Sequence, residues 1–189
     1  MTYSKLHAEF LTVTCLEWNP LLQDDRFKDI IIDSLRFLCK AGRIQLYGFV
    51  IMSNHFHLIW QMIGEHKGED VQRDFLRFTA QQMLKHLRNE KHEMLDKLLV
   101  NTTDRKYHVW ERNSLGIPIW SSEVFWQKLE YIHNNPVKAK LCEFPEEYKY
   151  SSAEYYHYGK TIWEFLNRHE GLSILVGEEH QQGQKLYRR

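Results

Sequence analysis

Two histidines separated by one residue are the part of the sequence best suited to chemistry. His55 and His57 lie in a stretch from Ile44 to Met62 whose pattern indicates either two strands or one long strand bent around Ser53 and Asn54. Side chains at positions i and i+2 of a strand project from the same face. The two imidazoles would therefore point together and could bind one divalent ion, leaving coordination positions for a substrate. Two unrelated histidines in a strand are the alternative, because so short a pattern also arises by chance.

A tyrosine in a later segment could supply a nucleophile. Tyr131 and Asn135 are four residues apart and precede Pro136, so on a helix they would share a face. A phenol beside an amide oxygen can act as a nucleophile next to a metal ligand. The alternative is that Tyr131 packs on the sheet and Asn135 caps the helix end, since Pro136 stops the helix just after Asn135.

The elements that must position these residues begin with a strand and a helix. Residues 10–15 alternate apolar and polar side chains, as a half-buried strand does. Asp24 or Asp25 can cap a helix whose apolar residues fall on one face, and Gly42 stands where a helix often ends. This part of the chain therefore predicts a first strand followed by an amphipathic helix.

Further elements are predicted between residues 70 and 135. A long amphipathic helix is expected from about Asp70 to Lys91. Its buried face is predicted to contain Val71, Phe75, Phe78, Leu84 and Leu87. Residues 107–112 and 117–120 suggest a hairpin, and Ser121 or Ser122 can cap the helix that carries Tyr131. Strands and helices interleaved in this way predict a single α+β domain, a sheet with helices on one face.

Composition excludes several classes of protein. Of 189 residues, 43% are hydrophobic and 26% charged, so wholesale disorder is excluded. No apolar run approaches the roughly 20 residues of a membrane-spanning helix, and residues 1–7 lack the apolar core of a signal peptide. Three cysteines without a CxxC pair argue against a disulfide framework, which favours the cytoplasm. Because 25 basic residues balance 25 acidic ones, contact with nucleic acid would have to come from local patches.

Taken together, the two motifs resemble those of a family of DNA-processing enzymes. His55-Phe56-His57 resembles the His-hydrophobic-His motif of HUH endonucleases. The segment from Tyr131 to Ala139 resembles the tyrosine helix of single-tyrosine transposases of the insertion-sequence-200-like group. Tyr148-Lys-Tyr-Ser-Ser-Ala is typical of the REP-associated branch of that group. The resemblance extends from about residue 5 to residue 158 and depends on both motifs in this order.

The resemblance implies a fold and an activity. The fold would be α+β, with an antiparallel sheet and packed helices in a ferredoxin-like arrangement. A transposase domain would occupy residues 1–160, followed by a C-terminal extension over 161–189. Tyr131 would attack a phosphodiester in single-stranded hairpin DNA, which gives a 5′-phosphotyrosine link and a free 3′-hydroxyl. The covalent intermediate retains the bond energy, so a later strand transfer can reseal the DNA.

A metal ion and a DNA surface belong to the same expectation. His55, His57 and Asn135 would hold Mg²⁺ or Mn²⁺, with Asn135 standing where the family often has Gln. The residues expected to contact DNA are Arg73, Arg77, Lys138, Lys140 and Tyr150. A solvated helix face is the alternative for the arginines, and packing on the core is the alternative for the tyrosine.

Other functions and assemblies stay open on the sequence alone. A domesticated protein could hold hairpin DNA without turnover. A metal-dependent phosphodiesterase could use water as its nucleophile, with Tyr131 only structural. Relatives include dimers that exchange the tyrosine helix and forms that act as monomers, so a homodimer is a possible state of this protein.

Overall fold

One antiparallel sheet forms the centre of the protein in the computed structural model, which describes residues 7–65, 67–100, 106–112, 114 and 116–167. Within those residues four strands pair in the order β2-β3-β1-β4. Their bounds are β1 Glu9–Thr14, β2 Ile44–Ile51, β3 His55–Met62 and β4 Gly116–Pro118. The register between β1 and β3 places Thr12 opposite His57 and Thr14 opposite His55.

Helices cover both faces of this sheet. Their bounds in the described chain are α1 Asp25–Lys40, α2 Gly68–Glu90, α3 Met94–Lys97, α4 Ser122–His133, α5 Asn135–Lys138 and α6 Ala153–Tyr158. Short 3₁₀ turns occur at Leu16–Trp18, Leu21–Gln23 and Pro145–Glu147. Helices α1 and α2 share one buried cluster with one sheet face, whereas α4 shares a second cluster with the other face. The α+β antiparallel fold is therefore confirmed, but the prediction that helices lie on one face is wrong.

The reason for two helical layers is that the central strands are apolar on both sides. In β1, Leu11 and Val13 face α1 and α2, while Phe10 faces α4. Strand β2 is buried at almost every position. Each fully buried large apolar side chain contributes about 1.5–3 kcal/mol relative to an exposed one. A single helical layer would leave one of these apolar faces in water.

The first strand and helix form where the sequence predicted them. The Asp24 side chain accepts a hydrogen bond from the backbone N–H of Arg26 at 2.9 Å, so Asp24 is the N-cap of α1. The helix ends at Lys40, and Gly42 follows with a φ of 64°, a left-handed conformation that favours glycine.

One predicted core residue of the long helix lies outside the core. Phe78 of α2 is 51% exposed, while Thr79 is buried. The buried stripe of α2 follows Phe75, Thr79 and Met83, four residues apart, and Phe78 is rotated by about 100° from Thr79. A polar residue thus occupies the inward position, and its hydroxyl donates to the carbonyl of Phe75 at 3.0 Å.

The predicted hairpin between residues 107–112 and 117–120 is wrong. Strand β4 pairs with Glu9–Leu11 of β1, and Trp110 bridges Cys15 just beyond the end of β1. Both segments therefore pair along the same edge of the β1 segment, at different positions along the chain. The residue types between the two segments favour a hairpin turn, but both segments pair with the edge of β1 instead of with each other.

Helix α4 approaches the sheet closely at a glycine in β2. Phe125, Leu129 and Ile132 of this helix are buried against the sheet. A Cβ atom at Gly48 would lie 2.6 Å from Leu129 Cδ1 and 3.3 Å from Ile132 Cδ1. The missing side chain at Gly48 is therefore what allows α4 to pack at this distance.

A polar contact fixes the C-terminal end of α4 to the same strand. Ser152 Oγ accepts a hydrogen bond from the backbone N–H of Phe49 at 2.9 Å and lies 2.8 Å from His133 Nε2. Burial lowers the pKa of His133 from its ordinary value of 6.5 to about 3. The imidazole is consequently neutral at physiological pH and can exchange a hydrogen bond with a hydroxyl inside the core.

The segment after α6 also packs on β2. Trp163 and Leu166 belong to the main core, and the backbone N–H of Asn167 donates to the carbonyl of Leu46 at 2.8 Å. The first residues of the predicted C-terminal extension therefore lie on the sheet, and residues 168–189 lie outside the described residues. No helix of the described chain combines the length and the apolar character needed to cross a membrane.

Replacing Gly48 with Ala should destabilise the protein by about 1–3 kcal/mol, because the new methyl group overpacks the contact with α4. Urea unfolding measures the change. Leu129→Ala removes the side chain that the methyl group would meet, so the double variant should lose less than the sum of the two single losses. Strictly additive losses would contradict this account of Gly48.

Stability should fall as the pH falls from about 6.5 to about 3, because the unfolded chain binds a proton at His133 that the folded protein does not bind. This residue should contribute at most about 1.4 kcal/mol per pH unit over that window. Unfolding of His133→Gln, measured across the same pH range, should show a shallower slope. His86→Gln, on the exposed side of α2, is the matched control, and equal slopes for both variants would contradict the prediction.

Candidate active site

The two motif histidines lie side by side on the sheet face that α4 covers. They are alternate residues of β3, and Phe56 between them points into the opposite core. The ring centroids of His55 and His57 are 5.0 Å apart, with the rings inclined at 73°. A strand thus brings the two imidazoles together on one face, as its period of two residues requires.

His57 has one ring nitrogen held by the neighbouring strand and the other without a partner. Its Nδ1 lies 2.9 Å from Thr12 Oγ1, the residue opposite it in β1. The hydroxyl can accept the Nδ1 proton, which leaves the lone pair on Nε2. That Nε2 atom is buried and has no hydrogen-bond partner among the described residues. An unpartnered, buried imidazole nitrogen is the kind of atom that a metal ion would satisfy.

His55 is oriented by two amide side chains. Its Nδ1 lies 2.8 Å from Asn54 Oδ1, and a second hydrogen bond links it to Asn135. The Asn135 amide nitrogen donates to the carbonyl of Tyr131 at 2.8 Å, which leaves the amide oxygen for the site. Asn135 thus joins the end of the tyrosine helix to the first motif histidine.

Both motif imidazoles are kept neutral. Burial, together with smaller contributions from the nearby His55 and the Lys128 ammonium, lowers the pKa of His57 from 6.5 to about 3. Burial also lowers the pKa of His55, while its hydrogen bond with Asn135 acts in the opposite direction. Neutral imidazole is the form that coordinates a metal, so the surroundings favour the ligating state.

Tyr131 lies next to this pair and remains accessible. Its ring centroid is 5.4 Å from that of His57 and 6.1 Å from that of Phe10, edge-on in both cases. The side chain is 43% exposed, on the last turn of α4. Lys138 Nζ lies 5.4 Å from the centre of the Tyr131 ring. The tyrosine and the histidines that it approaches belong to one chain.

An open cavity of about 540 Å³ gathers these residues. It is lined by Phe10, Thr12, Trp18, His55, His57, Lys128, Tyr131 and Asn135. In the described chain no group of three or more His, Cys, Asp or Glu side chains could hold a metal. The ligands on offer here are therefore two imidazoles and one amide oxygen, and the charged residue of the lining is a lysine.

Four residues of this cavity, Phe10, Thr12, Trp18 and Lys128, were not anticipated as site residues from the sequence. Thr12 reaches His57 only through the β1–β3 register, which the sequence does not reveal. Trp18 enters through the 3₁₀ turn after β1. Lys128, whose Nζ lies 5.0 Å above the Phe10 ring, stands three residues before Tyr131 on the same helix. That helical spacing is a signal that could have identified it.

The residues predicted to contact DNA are not all near the cavity. Lys138 lies over the Tyr131 ring, and Lys140 is exposed two residues further on. Arg73 and Arg77 are on α2, which packs on the other face of the sheet. Their guanidinium groups pair with aspartates of the same helix, at 2.7 Å from Asp70 and 3.0 Å from Asp74. The two arginines therefore lie across the sheet from the candidate site.

Tyr150 cannot stack on a base in this structure. Its side chain is 2% exposed, and its hydroxyl donates to Asp29 Oδ1 at 2.9 Å. The Lys28 and Lys149 ammonium groups lie 4.7 and 4.6 Å from its ring centre. The structure shows packing in the core for this residue, the alternative that the sequence left open. Its backbone carbonyl also accepts a hydrogen bond from the N–H of Ile51 in β2.

Comparison with known proteins identifies the fold. No protein-family model matches the sequence, and no curated protein matches it. A solved REP-associated tyrosine transposase bound to a REP hairpin superposes with a TM-score of 0.61 at 14% identity, over 82% of this chain and 81% of that chain. A candidate transposase of Deinococcus radiodurans R1 superposes with a TM-score of 0.44 at 17% identity, over 67% of this chain and 88% of that chain. The protein has the fold of a REP-associated tyrosine transposase, as the resemblance of its motifs implied.

Proposed function

We propose that this protein is a transposase-like enzyme of the REP-associated tyrosine branch, which cleaves and joins single-stranded hairpin DNA with Tyr131 as its nucleophile. The observation that carries the proposal is the convergence of an accessible Tyr131 with His55, His57 and Asn135 in one cavity. The structure that it resembles in fold is bound to a REP hairpin, which supports hairpin DNA as the class of substrate.

The chemistry proposed for Tyr131 is a transesterification. The phenolic oxygen attacks the phosphorus of a DNA phosphodiester, and a new bond forms between that oxygen and the 5′-phosphate. The bond from phosphorus to the 3′ oxygen breaks, and this oxygen takes up a proton in exchange for the one that the phenol releases to solvent. The covalent link retains the bond energy, so a second 3′-hydroxyl can later displace the tyrosine and reseal the strand.

Cationic side chains around Tyr131 would bind the DNA phosphates. Lys138 and Lys128 lie beside Tyr131 and Phe10, and the residues that line the cavity include no carboxylate. A phosphodiester that enters beside Tyr131 and Phe10 therefore meets positive charge and no carboxylate of the lining. Positive groups placed where negative charge develops also stabilise the transition state of a phosphoryl transfer.

The same cavity has residues that fit a divalent metal ion, Mg²⁺ or Mn²⁺. The ring Nε2 atoms of His55 and His57 and the amide oxygen of Asn135 would hold it. When bound, such an ion polarises a phosphoryl oxygen and stabilises the charge that develops there. Thr12 and Asn54 would orient the two histidine ligands without binding the metal. Each can accept the Nδ1 proton of one histidine and thereby fix its tautomer.

Replacing Tyr131 with Phe should abolish covalent capture of DNA while leaving the fold and the DNA affinity intact, because only the attacking oxygen is lost. The protein is incubated with Mn²⁺ and a pool of 3′-labelled hairpins that carry randomised single-stranded flanks. A 5′-phosphotyrosine link keeps the 3′ label on the protein, so wild type should give a labelled adduct on a denaturing gel. Tyr158→Phe, an exposed tyrosine of α6 outside the cavity, is the matched control.

Two results would contradict the proposal and point to the other functions considered. Cleavage that persists in Tyr131→Phe would mean that water is the nucleophile, as in a phosphodiesterase. Hairpin binding by wild type without any adduct or cleavage would mean that the protein is a binder without turnover.

Mn²⁺ binding should depend on the histidines and on the hydroxyl behind one of them. Calorimetric titration of the DNA-free protein should show that His57→Ala loses the site. Thr12→Val keeps the shape of the side chain but removes the acceptor for Nδ1, so it should weaken binding about 10- to 100-fold. His86→Ala, an exposed histidine of α2, is the control. Equal Mn²⁺ affinity in all four proteins would rule out a metal at this site.

A further inference from the structure

Trp18 is a large aromatic side chain left exposed at the edge of the cavity. Its indole is 60% exposed although it lines the same cavity as His55 and Tyr131. The centroids of the Trp18 and His55 rings are 5.7 Å apart, and the rings are inclined at 67°. The indole therefore touches the candidate metal ligand with one part of its surface and presents most of the rest to solvent.

The backbone that presents this indole is strained. Glu17 and Trp18 have φ values of 52° and 56°, a left-handed conformation that costs about 1–2 kcal/mol for each residue with a side chain. Surrounding hydrogen bonds hold the turn in place. The N–H of Glu17 donates to Glu111 Oε1 at 2.7 Å, and the N–H of Leu16 donates to the carbonyl of Val109 at 2.8 Å. Strain held in this way is typical of functional sites.

The surroundings of the indole suit a nucleobase better than a phosphate. Glu17 is exposed next to Trp18 in the chain, and the Glu111 carboxylate accepts from the N–H of Glu17, so a phosphate would meet negative charge at this turn. The cations lie beside other rings, Lys128 at Phe10 and Lys138 at Tyr131. A strand of DNA could therefore place its phosphate near the lysines and an uncharged, planar base against Trp18.

We propose that Trp18 is a stacking platform for an unpaired base of the DNA strand whose phosphate Tyr131 attacks. The inference rests on the function proposed above and adds a binding site for one nucleobase to it. Every base has a π-face, so stacking here positions the strand without selecting its sequence. Trp18 contacts the substrate base and not the reacting atoms, which makes it a positioning residue.

The experiment uses the full chain with Tyr131→Phe, so that bound DNA is not cleaved. Single 2-aminopurine bases are placed in turn at each unpaired position of a hairpin that the protein binds. Stacking on the indole should quench the fluorescence at one or two adjacent positions only. Adding Trp18→Ala should remove that quenching and weaken binding about 5- to 150-fold, whereas Trp18→Phe should retain most of both.

Trp120 provides a matched control. It is 66% exposed and its ring lies 4.4 Å from that of His7, but it does not line the cavity. Trp120→Ala should therefore leave both the quenching pattern and the affinity unchanged. Mn²⁺ affinity should also be unchanged in Trp18→Ala, because the indole supplies no ligand.

Each other outcome has a definite meaning. Unchanged affinity and quenching in Trp18→Ala would overturn the platform while leaving the proposed DNA chemistry in place. Loss of Mn²⁺ binding in Trp18→Ala would assign the indole to supporting His55 and would also overturn it. Failure of every variant, including the parent, to bind hairpin DNA would overturn the proposed function and the platform together.

Discussion

The packing of α4 on the sheet at Gly48 is the contact on which the candidate site depends. Leu129 and Ile132 occupy the space that a side chain at Gly48 would fill, and His133 bonds to Ser152 at the end of the same helix. These contacts fix the distance between the helix and the sheet. Tyr131 lies between Ile132 and Leu129 in sequence, so its ring is held 5.4 Å from the ring of His57. A wider separation would leave the phenol and the imidazoles as unrelated surface groups.

The sheet contributes two imidazoles to the site and buries them in their neutral form. A protonated histidine beside another cation in a desolvated place is unfavourable, and the surroundings lower the pKa of both rings. Thr12 and Asn54 take up one ring nitrogen of each histidine; the other nitrogen of His57 has no partner among the described residues, and His55 also bonds to Asn135. Burial disfavours the protonated form of an imidazole. It therefore favours metal binding, which requires the neutral form.

The distribution of charge and aromatic surface around the cavity is uneven. Lys128 and Lys138 lie on the side of Tyr131, whereas the strained turn at Trp18 presents an indole beside carboxylates. A phosphate and a base differ in the same way, one being charged and the other flat and neutral. The cavity thus offers distinct surfaces for the two parts of a nucleotide, which is the physical basis of both proposals.

The sequence by itself determined what depends on local periodicity. The period of a strand puts His55 and His57 on one face, and helical spacing brings Asn135 back to Tyr131, so these four members of the candidate site could be named in advance. Asp24 at the start of α1 was equally predictable, because a cap acts on the next few residues of its own chain.

Only the tertiary structure decided what depends on contacts between distant segments. Strand β4 pairs with the edge of β1 and not with residues 107–112 across a local turn. The β1–β3 register likewise places Thr12 opposite His57. Tyr150 is a residue type that can stack on a base, but its side chain is buried in the core. Helical periodicity does not say which of two sheet faces α4 will cover, because both faces are apolar. The close approach of α4 to Gly48 is a contact between distant segments of the chain.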